Sequence, residues 1–101
     1  MVVKAIVLDG KDNVATCTAN VSSGDVIECI GSSTATLESV EAIPIWHKAA
    51  LRAIGADESV IKYGELIGRT LVDIPKGGWV SHENIYSVPG DYRDEYINAG
   101  K

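Results

Sequence analysis

A chain of 101 residues, 46% of them hydrophobic, suffices for one domain with a modest core, hiding roughly 60–70% of the surface that the unfolded chain exposes. Its formal net charge of −5 at pH 7 argues against nucleic acid and against an anionic membrane surface, both of which are held by basic patches. No apolar run approaches the ~18 residues that a membrane-spanning helix needs, so a soluble globular protein is expected.

The opening "MVVKAIVLDG" has a short apolar run, Asp9 close behind it and no small-residue cleavage site. It reads as a first strand rather than a signal peptide, with a cytoplasmic location as the default. "AIVLD", "GKDN" and "VATCTAN" predict a hairpin, because β-branched runs flank glycine and Asx residues that tolerate turn dihedrals; the turn falls between Asp9 and Asn13. "DVIECI" and "TATLESVEAI" predict two further strands. Cys17 and Cys29, in a chain without an export signal, are expected to be reduced and buried; a bridge between neighbouring strands is the alternative. "HKAALRAI" is rich in helix formers and predicts a short helix starting at His47–Lys48 and stopped by Gly55. After a Pro-Gly break, "DYRDEYINAGK" is expected to form a partly ordered terminal extension.

Three segments share a pattern: "VSSGDVI" at 21–27, "IGADESV" at 54–60 and "IPKGGWV" at 74–80. Each has an apolar residue, a turn residue three later and an apolar residue three beyond. This predicts tight turns at Gly24, Asp57 and Gly77 that feed directly into strands. The copies are unevenly spaced, so they describe turn-into-strand units in a compact fold and not a solenoid.

The segments "IPIWHKAALRAI", "ESVIKYGELIGRT" and "VDIPKGGWVSHENI", in this order, resemble the SAF domain at the amino-terminal end of altronate and galactarate dehydratases, over roughly Val2 to Val88. The resemblance implies a mostly β fold with short helices, a β-clip single domain over residues 1–88, and an extension over 89–101. It implies a small subunit of a sugar-acid dehydratase, a hydro-lyase, inactive alone and completed by a separate large catalytic subunit. Relatives of that family split a sulfo-hydroxy acid, so the implied substrate is a small hydroxy or polyhydroxy carboxylate. A divalent metal is implied for the complete enzyme, and none is evident in this chain.

Site residues follow from the same match. His47, Lys48 and His82 are the implied catalytic groups, and Lys62, Tyr63, Arg69 and Asn84 the implied substrate contacts. A histidine titrates near neutral pH and a lysine binds anions, so the His47–Lys48 pair suits a carboxylate or proton transfer from carbon. Its plainer reading is a solvated helix start. The favoured reading of Tyr63 is nevertheless a half-buried aromatic, of Gly64 a turn residue and of Gly68 a bend, while Arg69 suits a carboxylate fork or an interface. Trp46 and Trp79 are expected as core or interface anchors.

Two departures from the family pattern stand out. Trp46 occupies a position where the family has glycine, which makes a positive φ unexpected there. Ser81 and Glu83 stand where the family has histidines, with His82 between them; on a strand His82 would face away from both. His82 and Glu83 are the residues available as metal ligands. The chain contains no phosphate loop, Ser/His/Asp arrangement or zinc spacing, so no independent catalytic constellation is expected. A second reading is a stand-alone SAF module that binds a carbohydrate-like ligand or a protein without catalysis. A third is a chain that self-associates as a homo-oligomer through apolar strand edges and its tryptophans.

Overall fold

A computed structural model describes residues 1–86, and the extension expected over 89–101 lies outside the described residues. Among the described residues the chain is all-β. A six-stranded sheet contains β1 (Val2–Val7), β2 (Val14–Cys17), β3 (Val26–Gly31), β4 (Ala35–Glu38), β5 (Lys48–Ala50) and β8 (Trp79–Val80), in the order β4-β3-β1-β2-β5-β8. A three-stranded sheet contains β6 (Ser59–Lys62), β7 (Glu65–Thr70) and β9 (Ile85–Tyr86), in the order β6-β7-β9.

The β1–β2 hairpin forms as expected, antiparallel with Ala5 opposite Cys17. In β1, Val3, Ala5 and Val7 face inward while Val2, Lys4 and Ile6 face out, the alternation of a strand with one wet face. The crossover after β2 lays β3 parallel to β1 on its other side, from Val2 opposite Val26 to Val7 opposite Gly31.

The three predicted turn-into-strand units form, and a fourth joins them at 43–49, "IPIWHKA". Each closes with a backbone N–H to carbonyl bond: Asp25 to Ser22, His47 to Pro44, Glu58 to Gly55 and Gly78 to Pro75, at 2.9–3.2 Å. The third turn residue has a positive φ in every unit: Gly24 91°, Trp46 69°, Asp57 61° and Gly77 82°, the signature of a type II turn. The units pair through bridges between Val21 and Ile43 and between Ile54 and Ile74. A further pair of backbone bonds recurs at each turn, with Ser39, Cys17, Thr70 and Ala50 as the respective partners. Trp46 therefore corrects the expectation that its bulk would exclude a left-handed backbone.

The expected helix over "HKAALRAI" is absent. A two-turn helix is marginal on its own, whereas β5 bonds to β2 on one side and β8 on the other, with Lys48 opposite both Thr16 and Val80. Ala49 and Ala50, fully buried, enter two different cores. Small side chains on both faces suit a strand that is covered above and below. One core contains Ala15, Cys17, Ile27, Leu37, Ile43 and Ala49. The other contains Val14, Ala50, Ile54, Val60, Ile74 and Val80.

Cys17 and Cys29 are buried free thiols. Both oppose Ala5, from the two sides of β1. Two strand spacings place their Cα atoms roughly 10 Å apart, beyond the ~7 Å limit for a bridge. Burial pushes both thiols from their ordinary 9.0 up to about 11, with Cys29 adding to the effect on Cys17. Because the folded values are raised, their contribution to stability is complete below pH 9 and is lost as pH rises through about 11. The urea midpoint is expected to fall above pH 9, and native thiols are expected to resist Ellman's reagent at pH 8 and react in urea. Rapid labelling of the native chain would contradict this burial.

Candidate functional site

Lys62-Tyr63-Gly64-Glu65 is a two-residue hairpin joining β6 and β7, with Lys62 opposite Glu65. Tyr63 (φ 61°) and Gly64 (φ 75°) are both left-handed, as a type I′ turn requires. Tyr63 is 70% exposed, correcting the half-buried reading, while Gly64 serves the turn as expected. The "GKDN" loop holds this hairpin. Asp12 Oδ1 accepts the Gly64 N–H at 2.8 Å. Asn13, 4% exposed, donates from Nδ2 to the Ser59 carbonyl at 2.9 Å and accepts the Ile61 N–H at 2.8 Å. Its amide thus replaces one peptide unit and ties the start of β2 to the second sheet. The sequence marks this loop only as a turn; a glycine and three polar residues give no sign of a docking role.

The His47–Lys48 pair is divided. Neighbours on a strand project to opposite faces. His47 meets Trp79 edge to face, with ring centroids 5.3 Å apart, and the Trp79 indole N–H donates to His47 Nδ1 at 3.2 Å. Trp79 packs against the first core. Lys48 lies on the other face with Ala50 and Val80, where its partly buried ammonium meets the charge of Lys62. Burial first, and Lys62 second, hold its pKa below the ordinary amine value. Among the described residues neither lysine forms an ion pair. Lys48 in β5 thus feels the charge of Lys62 in β6, whereas His47 turns to Trp79.

Other candidates are held by local structure. Arg69 donates from Nε to Asp57 Oδ1 at 3.1 Å and from a terminal nitrogen to the Asp57 carbonyl at 2.6 Å, and the Tyr86 hydroxyl donates to the same carboxylate at 2.6 Å. The Tyr86 hydroxyl, and then Arg69, hold the Asp57 carboxyl below its ordinary range. Gly68 lies inside β7, opposite Val60 where the β6–β7 register shifts, and a Cβ there would stand 2.6 Å from the Tyr86 carbonyl oxygen. Asn84 closes a turn, accepting the Ser81 N–H at 2.8 Å and donating to the Trp79 carbonyl at 2.7 Å. His82 and Glu83 are exposed in that turn, not on a strand, so the expected opposition of faces does not arise. Among the described residues no three His, Cys, Asp or Glu groups come together, so His82 and Glu83 lack the further ligands that a divalent metal requires. A shallow depression of about 570 Å³ beside Ser23, Thr36, Glu38 and Lys76 contains none of the candidate residues.

Trp46 is 65% exposed, so it is no core residue. A left-handed backbone costs a bulky side chain roughly 1–2 kcal/mol, and glycine recovers most of that. Trp46→Gly is therefore expected to leave the isolated chain as stable or up to about 1 kcal/mol more stable, read from urea melts. A loss above that size would show that the indole supports the fold.

The family model for the altronate/galactarate dehydratase SAF domain matches residues 3–88, and the chain belongs to that family. Galactarate dehydratase (L-threo-forming) of Escherichia coli strain K12 is 43% identical over 49 residues, 48% of this chain and 9% of that protein. The (2R)-sulfolactate sulfo-lyase subunit alpha of Chromohalobacter salexigens is 44% identical over 52 residues, 52% of this chain and 55% of that protein. The protein of the same name from Paracoccus pantotrophus is 50% identical over 42 residues, 42% of this chain and 63% of that protein. The matched region thus covers less than two thirds of each of these relatives. Among the described residues no helix is long and apolar enough to cross a membrane.

Proposed function

We propose that this chain is the small subunit of a hydro-lyase acting on a small hydroxy carboxylate, with a separate large subunit completing the active site. The observation that carries the reading is the Lys48–Lys62 pair, partly buried and without a carboxylate partner among the described residues, in a chain of this family. Two ammonium groups that feel each other's charge suit a carboxylate bound between them. They would also stabilise the charge that builds on that carboxylate as the neighbouring C–H proton is removed and the β-hydroxyl leaves as water. In this reading the large subunit supplies the proton acceptor and the acid for the departing hydroxyl. The paired turn-into-strand units support a β-clip as the fold, and Trp46 is the anchor for the large subunit. Trp46→Gly is then expected to weaken assembly about tenfold or more.

The test is to mix the purified chain with the product of an adjacent large-subunit gene, measure complex formation, and assay dehydration of galactarate and altronate, with sulfite release from sulfolactate pointing to a sulfo-lyase instead. A complex that dehydrates either of the first two acids supports the reading; no complex and no turnover would sink it. The exposed, unengaged His82 between Ser81 and Glu83 favours a second reading, a binding module without a lyase role. That reading predicts ligand binding by the chain alone.

A further inference from the structure

We infer that Trp79 fixes His47 in the neutral tautomer with its proton on Nε2, so that the outward edge of the ring donates a hydrogen bond and cannot accept a proton. The indole N–H is a donor only, and a ring nitrogen that accepts from it carries no proton. The 3.2 Å bond from Trp79 Nε1 to His47 Nδ1 therefore places the single proton of the neutral ring on Nε2. Nothing among the described residues bonds Nε2, and the ring is only partly buried.

The indole is itself held in place. The Trp79 backbone N–H donates to Glu41 Oε2 at 3.0 Å, and the Trp79 carbonyl accepts from Asn84 Nδ2 at 2.7 Å. Trp79 also opposes Ala49 in the sheet. On the other side, the His47 carbonyl accepts the Cys17 N–H at 2.8 Å and the His47 N–H closes the turn onto Pro44. Both rings thus stand on backbone that is pinned by several bonds. Trp79 is a positioning residue, and Glu41 and Asn84 position Trp79. For the histidine, the consequence differs from proton transfer: His47 offers a donor to a carboxylate or hydroxyl oxygen. This second half rests on the proposed lyase function, whereas the tautomer does not.

The tautomer is tested on the isolated, 15N-labelled full chain at a pH where the ring is neutral. A 15N–15N scalar coupling across the Trp79 Nε1–His47 Nδ1 bond, with the ring proton on Nε2, is the expected result. A proton on Nδ1, or no coupling, overturns the inference. Trp79→Phe should shift the His47 Nδ1 resonance as the tautomers mix; an unchanged resonance also overturns it. In the assembled enzyme, His47→Gln keeps an N–H near the Nε2 position and should retain activity to within about tenfold. A loss of a thousandfold or more would instead identify a base. Trp79→Phe should raise KM several-fold with kcat nearly unchanged, and a collapse of kcat at constant KM would refute positioning. An inactive wild-type mixture counts against the proposed function and leaves the coupling to decide the tautomer.

Discussion

Gly77→Ala is expected to lower the stability of the chain by about 3 kcal/mol or more, a fall of roughly 15 °C in Tm for a domain of this size. Two effects add. The position has φ 82°, which costs an alanine roughly 1–2 kcal/mol. Its Cβ would also stand 2.1 Å from the Glu38 carbonyl oxygen, a backbone atom that moves only if β4 moves. Overpacking of this kind costs about 1–3 kcal/mol. Gly24→Ala is the control, with a similar φ of 91° but nothing within 4 Å of the added carbon, so only the dihedral cost of roughly 1–2 kcal/mol is expected. Thermal and urea melts of the two variants separate the contributions, and equal losses would show that the clash is relieved without cost.

Under the proposed function, Lys48→Met is expected to reduce kcat/KM of the assembled enzyme by roughly 10- to 100-fold, the weight of one charge-assisted hydrogen bond. The isolated chain should be no less stable, because methionine fills similar space and removes a partly buried charge that faces Lys62. The sign of the pH dependence follows from the lowered folded pKa of Lys48, set by burial and then by Lys62. The unfolded chain binds that proton more tightly. Folding is thus penalised while the folded ammonium stays charged, and the penalty is relieved as pH rises through the lowered value toward the ordinary 10.5. The stability gap between Lys48→Met and the natural chain should narrow over that window. A kcat/KM within threefold of the natural enzyme would remove Lys48 from substrate binding.

Much of this architecture was legible in the residues, for identifiable reasons. "AIVLD" and "VATCTAN" alternate and branch as strands do, and glycine or aspartate marks three of the four recurrent turns. The fourth was hidden because tryptophan occupies the left-handed position, where only the bonding around His47 and Cys17 reveals the turn. "HKAALRAI" misled because alanine and leucine carry helix propensity, while the deciding factor was burial from two sides by residues distant in sequence. Within the candidate site, the residue types were legible and their grouping was not. Adjacency of His47 and Lys48 suggested a common target, yet His47 turns to Trp79, and it is the charge of Lys62, fourteen positions from Lys48, that Lys48 feels. The docking role of Asn13 had no local signal, since its partners are 46 and 48 positions away.

Strands β2, β5 and β8 line both cores, with Val14, Ala50 and Val80 on one side and Ala15, Ala49 and Trp79 on the other. Neither half of the molecule can therefore come apart while the other persists, since each would strip the shared strands of one cover. Slow-exchanging amides in these strands are expected to open only with global unfolding, and limited proteolysis within residues 1–86 should leave no stable half-sized fragment. A module assembled in this way meets any binding partner as one rigid body, and under the proposed function the gating of the completed site falls to the large subunit.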